Sequence, residues 1–270
     1  MGKDKLRKFA ENETFTCLVQ PDGKDVIVND DPIKGCWNSE MFAGRLGGKQ
    51  APIVVELGCG KGEYTIDLAQ REPSKNYIGV DIKGARLWRG AKTATEAGMS
   101  NVAFLRTRIE FINHVFGQDE VSEVWITFCD PQYKKINKRL TCPMMLDRYR
   151  GFLKKGGIVH LKTDCQELHE YTKGVIREQG LEMLCCTNDL YGSGAFAGCD
   201  ENGQPKLQQY QTRYPGYEGL EQPFLPCADP APQMDGPMLA NPALREVQTH
   251  YEQMFLGMGM PITYLAFKLD

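Results

Sequence analysis

No run of 18 apolar residues occurs in the 270-residue sequence, which excludes a membrane-spanning helix. Histidines number only four and no two cysteines stand in C-x-x-C spacing, so the usual ligand pattern of a zinc site is lacking and no metal is expected. The first residues, MGKDKLRKFAENETF, carry charge where a secretory leader would carry an apolar stretch, so no leader is expected. Internal repeats and low-complexity tracts are missing as well. What is present is globular: 41% hydrophobic and 25% charged residues exclude wholesale disorder. The length suits one large domain or two small ones and buries a sizeable core without staples. Of the ten cysteines, Cys59, Cys129 and Cys185 lie inside apolar runs, where thiols pack as small hydrophobes. This usage reads as a cytoplasmic chain with reduced thiols.

Net charge is small at −3, but it is unevenly spread. Residues 1–180 hold 28 Lys and Arg against 24 Asp and Glu, whereas residues 181–270 hold 4 against 11. A polyanion would therefore meet the first two thirds of the chain. Lys3, Lys5, Arg7 and Lys8 make a short basic arm, which taken alone is a solvated terminus.

From residue 53 apolar runs alternate with helical stretches. Strands are expected at 53–58, 76–81, 102–107, 123–130, 156–164, 181–188 and 262–269. Helices are expected at 61–72, 83–98, near 109–116, from Thr141 to the Lys-Lys-Gly-Gly at 154–157, and at 166–180. Such alternation predicts an α/β fold, a mostly parallel seven-stranded sheet with helices on both faces. Residues 1–50 form a lead-in, 51–191 and 241–270 the main domain, and the Gly/Pro-rich stretch 192–240 a surface insertion too long for an ordinary connection.

The first strand runs into Glu56-Leu-Gly-Cys-Gly-Lys-Gly62. Glycines 58, 60 and 62 allow a tight turn and close approach of a ligand at the start of the next helix. Glu56 lies two residues before Gly58, and Asp81 closes the second strand. A carboxylate at that point accepts both hydroxyls of a ribose, which suits NAD or S-adenosylmethionine (SAM). Glu56 would repel a pyrophosphate, and the spacing is G-x-G-x-G, not G-x-G-x-x-G; both favour SAM. The bland alternative is that Glu56 and Asp81 only solvate strand ends.

Asp130 is expected to end the fourth strand, at the same edge of the sheet. Lys134, Lys135, Lys138 and Arg139 follow it within a few residues, a run placed to bind phosphate. Lys83, Arg86, Arg89, Lys92, Arg106 and Arg108 extend the positive rim. Asp164, at the end of the fifth strand, has two roles open to it: accepting from a base edge, or capping the next helix. His160, mid-strand, reads as a core histidine.

Together V-E-L-G-C-G-K-G-E-Y, F-x-D-P-x-x-K-K, L-K-x-G-G-x-x-H-L-K-T-D and T-x-Y-E-x-x-F-x-x-x-G-x-P-I resemble the bacterial tRNA (guanine-N7)-methyltransferase family over about 1–190 and 241–270. The resemblance implies a Rossmann-like class I methyltransferase fold, SAM as cofactor, and guanosine in the variable loop of tRNA as substrate. It implies Glu56, Asp81 and the loop Gly58, Gly60 and Gly62 as cofactor contacts, and Asp130 as a residue at both the SAM edge and the reacting base. Lys134, Asp164, Thr249, His250, Tyr251 and Glu252 would contact substrate. Where the family has an acidic residue for the adenine amino group, this chain reads Thr107-Arg108-Ile109, which leaves that contact to Glu110 or to the backbone. The basic loop is shorter than in the family, Gln132 stands where Trp is common, and 195–240 has no counterpart.

Guanine N7 is already a lone pair, so positioning and stabilisation of the cationic product would carry the reaction, with Asp130 as the catalytic carboxylate. The base would have to leave its stack. A methyltransferase for a small molecule or protein, and a non-catalytic RNA-binding module, are the alternatives. The sequence does not distinguish a monomer from a homodimer.

Overall fold

The computed structural model describes residues 2–21, 28–191 and 238–270, with side chains from residue 4 onward. The expected insertion, apart from Met238–Ala240, and the Lys3 side chain lie outside the described residues. The strands are β1 (Leu18–Val19), β2 (Ile53–Leu57), β3 (Asn76–Asp81), β4 (Val102–Arg106), β5 (Val121–Thr127), β6 (Leu153–Thr163), β7 (Met183–Thr187) and β8 (Thr263–Leu269). The helices are α1 (Gly2–Asn12), α2 (Glu63–Arg71), α3 (Gly84–Glu96), α4 (Pro143–Arg150), α5 (Gln166–Glu178), α6 (Ala243–Glu246) and α7 (His250–Gly257). No helix among the described residues is long and apolar enough to cross a membrane.

All eight strands join one sheet in the order β1-β4-β3-β2-β5-β6-β8-β7. Every pairing is parallel except those of β8, which runs antiparallel to β6 and β7. Alternate residues serve opposite faces. Ile53, Val55 and Leu57 of β2 pack with α4, α5 and a π-helical segment at Trp37–Arg45. Val54 packs on the other side with α2, α3, α6 and α7. Burial on both sides is why β2 and β3 read as continuous apolar runs, each such side chain contributing about 1.5–3 kcal/mol.

The sheet departs from the expected seven strands by one. Leu18 and Val19 pair with Phe104 and Leu105, a two-residue edge strand too short to leave a periodic signal. Residues of the lead-in pack into the core. Trp37, Met41 and Phe42 are fully buried, and the Trp37 indole donates to the Val115 carbonyl at 2.8 Å. Helix α1 docks on α3: Arg7 and Lys8 lie over the Trp88 ring at 5.1 and 4.8 Å, and the Trp88 indole donates to Glu11 at 2.6 Å. Arg7 also pairs with Asp4 and Glu11 and Lys8 with Asp4, so these two cations of the basic arm are matched by carboxylates.

Helix α4 stops at Arg150, and Phe152 and Leu153 fall outside it. The following strand begins at Leu153 and runs through the Lys-Lys-Gly-Gly, because Leu153 pairs with Val121 ahead of a register shift. Arg245 of α6 donates Nε to the Leu190 carbonyl at 2.9 Å and Nη1 to the Leu239 carbonyl at 2.7 Å.

Candidate active site

The carboxyl ends of β2 and β5 open on a cleft of about 130 Å³, closed on the far side by the first turn of α7. Leaving β2, the chain turns through Gly58, Gly60 and Gly62 at φ of 77°, 58° and 74°. A side chain in that left-handed region costs about 1–2 kcal/mol, so the turn itself demands the glycines. A Cβ on Gly62 would also lie 2.5 Å from the Phe104 ring.

The loop amides decide what this turn can hold. Gly58 and Cys59 donate their N–H groups to the Val80 carbonyl, Gly62 donates to the Cys59 carbonyl, and Gly60 donates to Asp81 Oδ2 at 3.1 Å. These four donors are spent within the protein, so the loop is poorly equipped to cradle a pyrophosphate. Acceptors remain instead. Asp81 accepts from the Gly60 and Lys83 N–H groups, and its carboxylate keeps lone pairs for a ligand diol. Glu56 lies in the floor of the cleft, where its two oxygens accept from the Thr127 hydroxyl at 2.5 Å and from the Thr65 hydroxyl. Burial pushes the Glu56 carboxyl above its ordinary value, and the two hydroxyl donors oppose the shift. Both carboxylates adjoin Cys59, whose thiol is held well above its usual value by burial first and then by their charge. The donor and acceptor set fits SAM, which carries hydroxyls and positive charge and no phosphate.

Strand β5 ends at Thr127, so Asp130 stands three residues beyond the strand and does not close it. The exit is irregular: Phe128 and Gln132 both adopt left-handed φ, at 47° and 51°. Asp130 Oδ1 accepts from the Gln132 N–H at 2.9 Å, fixing an exposed carboxylate on an Asp-Pro turn. Asp164 comes to the same edge after β6. Both flank Cys129, whose thiol is pushed to about 12 by burial first, then by Cys165, Asp130 and Asp164. The cap of α5 is Cys165, whose Sγ accepts from the Leu168 N–H, so Asp164 does not serve as the N-cap.

Thr249, His250 and Tyr251 line the cleft opposite the glycine loop. Thr249 caps α7 by accepting from the Glu252 N–H at 3.1 Å, and Glu63 accepts from the His250 N–H at 3.2 Å.

Residues 50–195 match the model of a putative methyltransferase family. The chain is 42% identical over 270 residues to a tRNA (guanine-N(7)-)-methyltransferase of Christiangramia forsetii, covering 99% of each chain. It is 49% identical over 269 residues to a protein of the same description from Bacteroides thetaiotaomicron, covering 100% of this chain and 87% of that one. The chain belongs to the tRNA (guanine-N(7)-)-methyltransferase family. Among solved structures it is similar to a 16S rRNA methyltransferase, KamB, with a TM-score of 0.50 at 11% identity over 81% of this chain and 88% of that one, a likeness of fold alone.

In this member of the methyltransferase family Glu252, Arg139 and Glu110 each pair with a partner within the protein. Glu252 faces inward: it is fully buried and its carboxylate pairs with Lys162 at 2.7 Å and accepts from Tyr191 at 2.7 Å. Arg139 is buried at 2% exposure, leaving Lys134, Lys135 and Lys138 as the exposed cations of their loop. Glu110 is exposed on a 3₁₀ segment at Ile109–His114, pairs with Arg108 at 3.5 Å, and is not among the residues lining the cleft. His160 is the core residue expected: it stacks on Trp125 at 4.0 Å and meets the Tyr264 hydroxyl at 2.9 Å.

The motifs assign no role to several other contributors. Lys162 has zero exposure, and its Nζ also donates to the carbonyls of Leu244 and Val247. A lone lysine in the apolar strand 156–164 was the available signal. Thr65, Thr127 and Phe128 shape the cleft around Glu56 and are silent as sequence types.

Proposed function

We propose that the protein is a cytoplasmic enzyme that transfers the methyl group of SAM to N7 of guanosine in the variable loop of tRNA. The observation that carries this reading is the near full-length relationship to proteins described as tRNA (guanine-N(7)-)-methyltransferases. When bound, SAM supplies an electrophilic methyl group on a sulfonium. The chain's task is then to hold two partners in line. Asp81 is suited to the ribose hydroxyls, and Glu56 lays acidic character beneath the glycine loop.

Guanine N7 needs no deprotonation, so no general base is required. Transfer would break the sulfonium S–CH3 bond, leave a neutral thioether and put the positive charge on the purine ring, and a carboxylate near the transfer axis would favour that charge. We assign Asp130 to this role; one of its oxygens accepts from the Gln132 N–H and the residue is exposed. Asp164 is assigned to the guanine edge, and Thr249, His250 and Tyr251 to the wall against which the nucleoside rests. Lys134, Lys135 and Lys138 supply phosphate contacts.

The test is direct. Unmodified tRNA incubated with the protein and SAM should yield 7-methylguanosine on nucleoside mass analysis. Binding of SAM without appearance of that nucleoside would overturn the reading. The Lys134→Ala/Lys135→Ala variant should weaken tRNA binding and reduce the slope of log Kd against log salt by about 2, since each lost phosphate contact removes close to one unit.

A further inference from the structure

We propose that Arg139 is a positioning residue for the Asp130 turn and makes no contact with nucleic acid. By sequence it is the last of four cations in one loop and indistinguishable from the other three. The structure separates it from them. Lys134, Lys135 and Lys138 are exposed, whereas Arg139 is 2% exposed.

Its guanidinium is committed in three directions. Nε donates to the Pro131 carbonyl at 2.9 Å, Nη2 pairs with the Glu167 carboxylate on α5, and the group lies 4.5 Å above the Tyr171 ring. Phosphate cannot reach a group so enclosed, and its charge is matched by a carboxylate on the spot. The commitment to Pro131 matters because of what that residue joins. Pro131 lies between Asp130 and Gln132, inside a turn entered and left through residues in left-handed backbone conformation. Such a turn is not held by its own backbone preferences. Arg139 reaches back eight residues to grip its middle carbonyl and ties it to α5. The Tyr133 hydroxyl makes a second tie to α5, at 3.2 Å from Cys165 Sγ. Asp130 thereby stands at a fixed height above the end of β5, while the lysines between Pro131 and Arg139 stay free to follow a phosphate backbone.

The inference rests on the proposed methyl transfer, so wild-type protein is assayed first. Absence of 7-methylguanosine there would count against the reaction itself and not against Arg139. In active protein, Arg139→Lys and Arg139→Gln are compared with the Lys134→Ala/Lys135→Ala variant. Positioning predicts that both Arg139 variants lose at least tenfold in single-turnover rate at saturating SAM and tRNA. Their tRNA Kd should stay within twofold of wild type, with the salt slope unchanged. A phosphate contact predicts the opposite: near wild-type behaviour in Arg139→Lys, and in Arg139→Gln weaker binding with a slope reduced by about 1. That outcome, or full turnover in both variants, would overturn the proposal. Should neither variant fold, Glu167→Gln reaches the same guanidinium from the α5 side. It should lower the single-turnover rate severalfold with Kd and salt slope intact, and an unchanged rate in that folded variant would overturn the proposal equally.

Discussion

Asp130 is exposed, and its placement depends on backbone that few side chains tolerate. Phe128 and Gln132 each sit where a non-glycine residue costs about 1–2 kcal/mol, and the turn between them aims the carboxylate out of the sheet edge. Asp130→Asn keeps the size of the side chain and an oxygen for the Gln132 N–H, and removes only the charge. The expected result is a single-turnover rate lower by about 100-fold or more, with SAM and tRNA affinities within threefold of wild type. Rapid-quench assays with labelled SAM measure it, and a rate near wild type would remove Asp130 from the catalytic role. At this scale the sequence was informative about position along a strand and uninformative about direction. Glu56 and Asp81 could be placed because they sit at strand ends, where a parallel sheet gathers ligands. Glu252 and Arg139 could not, since a charged letter does not say whether its side chain turns toward solvent or toward a buried partner.

Helix α7 carries the cleft wall, and its attachment to the sheet is an ion pair in the interior. Lys162 and Glu252 both have zero exposure. Burial draws Lys162 below its ordinary value and Glu252 above its own, and their mutual attraction opposes both shifts. Breaking such a pair strands one charge, at about 3–5 kcal/mol, whereas replacing both partners with apolar groups is often neutral. Lys162→Met alone should therefore lower unfolding stability by about 3–5 kcal/mol, and Lys162→Met combined with Glu252→Leu should recover most of it. Urea denaturation of the three proteins checks this, and additive losses in the double variant would refute it. Elements were legible where their pattern was long: β3 and the body of α3 lie where periodicity puts them. The T-x-x-E of Thr249–Glu252 resembles a capping box, and its threonine does cap. Its glutamate leaves the box for Lys162, a partner nearly a hundred residues away that local pattern cannot supply.

Across the whole molecule, the ligand edge of the sheet is acidic and irregular while its other end is pinned by charge. Glu123, near the start of β5, accepts from Lys75 at 2.7 Å and lies 3.4 Å from His160. Burial works against its charge, but His160 and Lys75 prevail and hold the carboxyl at about 2. A carboxyl depressed on folding stabilises the protein above its unfolded value near 4.5 and loses that contribution as pH falls toward 2. Up to about 3 kcal/mol of stability should disappear over that window. Lys75→Met should flatten the loss in urea titrations at stepped pH; an identical acid profile would show that Glu123 is not its source. The α/β architecture was readable from alternation alone, because parallel strands buried on both faces must be apolar throughout. The edge strand at Leu18–Val19 was not, since two residues make no pattern. The hold of Arg245 on both the Leu190 and Leu239 carbonyls has a consequence for the 46 residues between Tyr191 and Met238. One guanidinium gathers Leu190 and Leu239, so the described chain leaves and re-enters the fold at neighbouring points, the arrangement that tolerates insertion. The scaffold can thus host passengers of very different size at this point without any strand changing its partner.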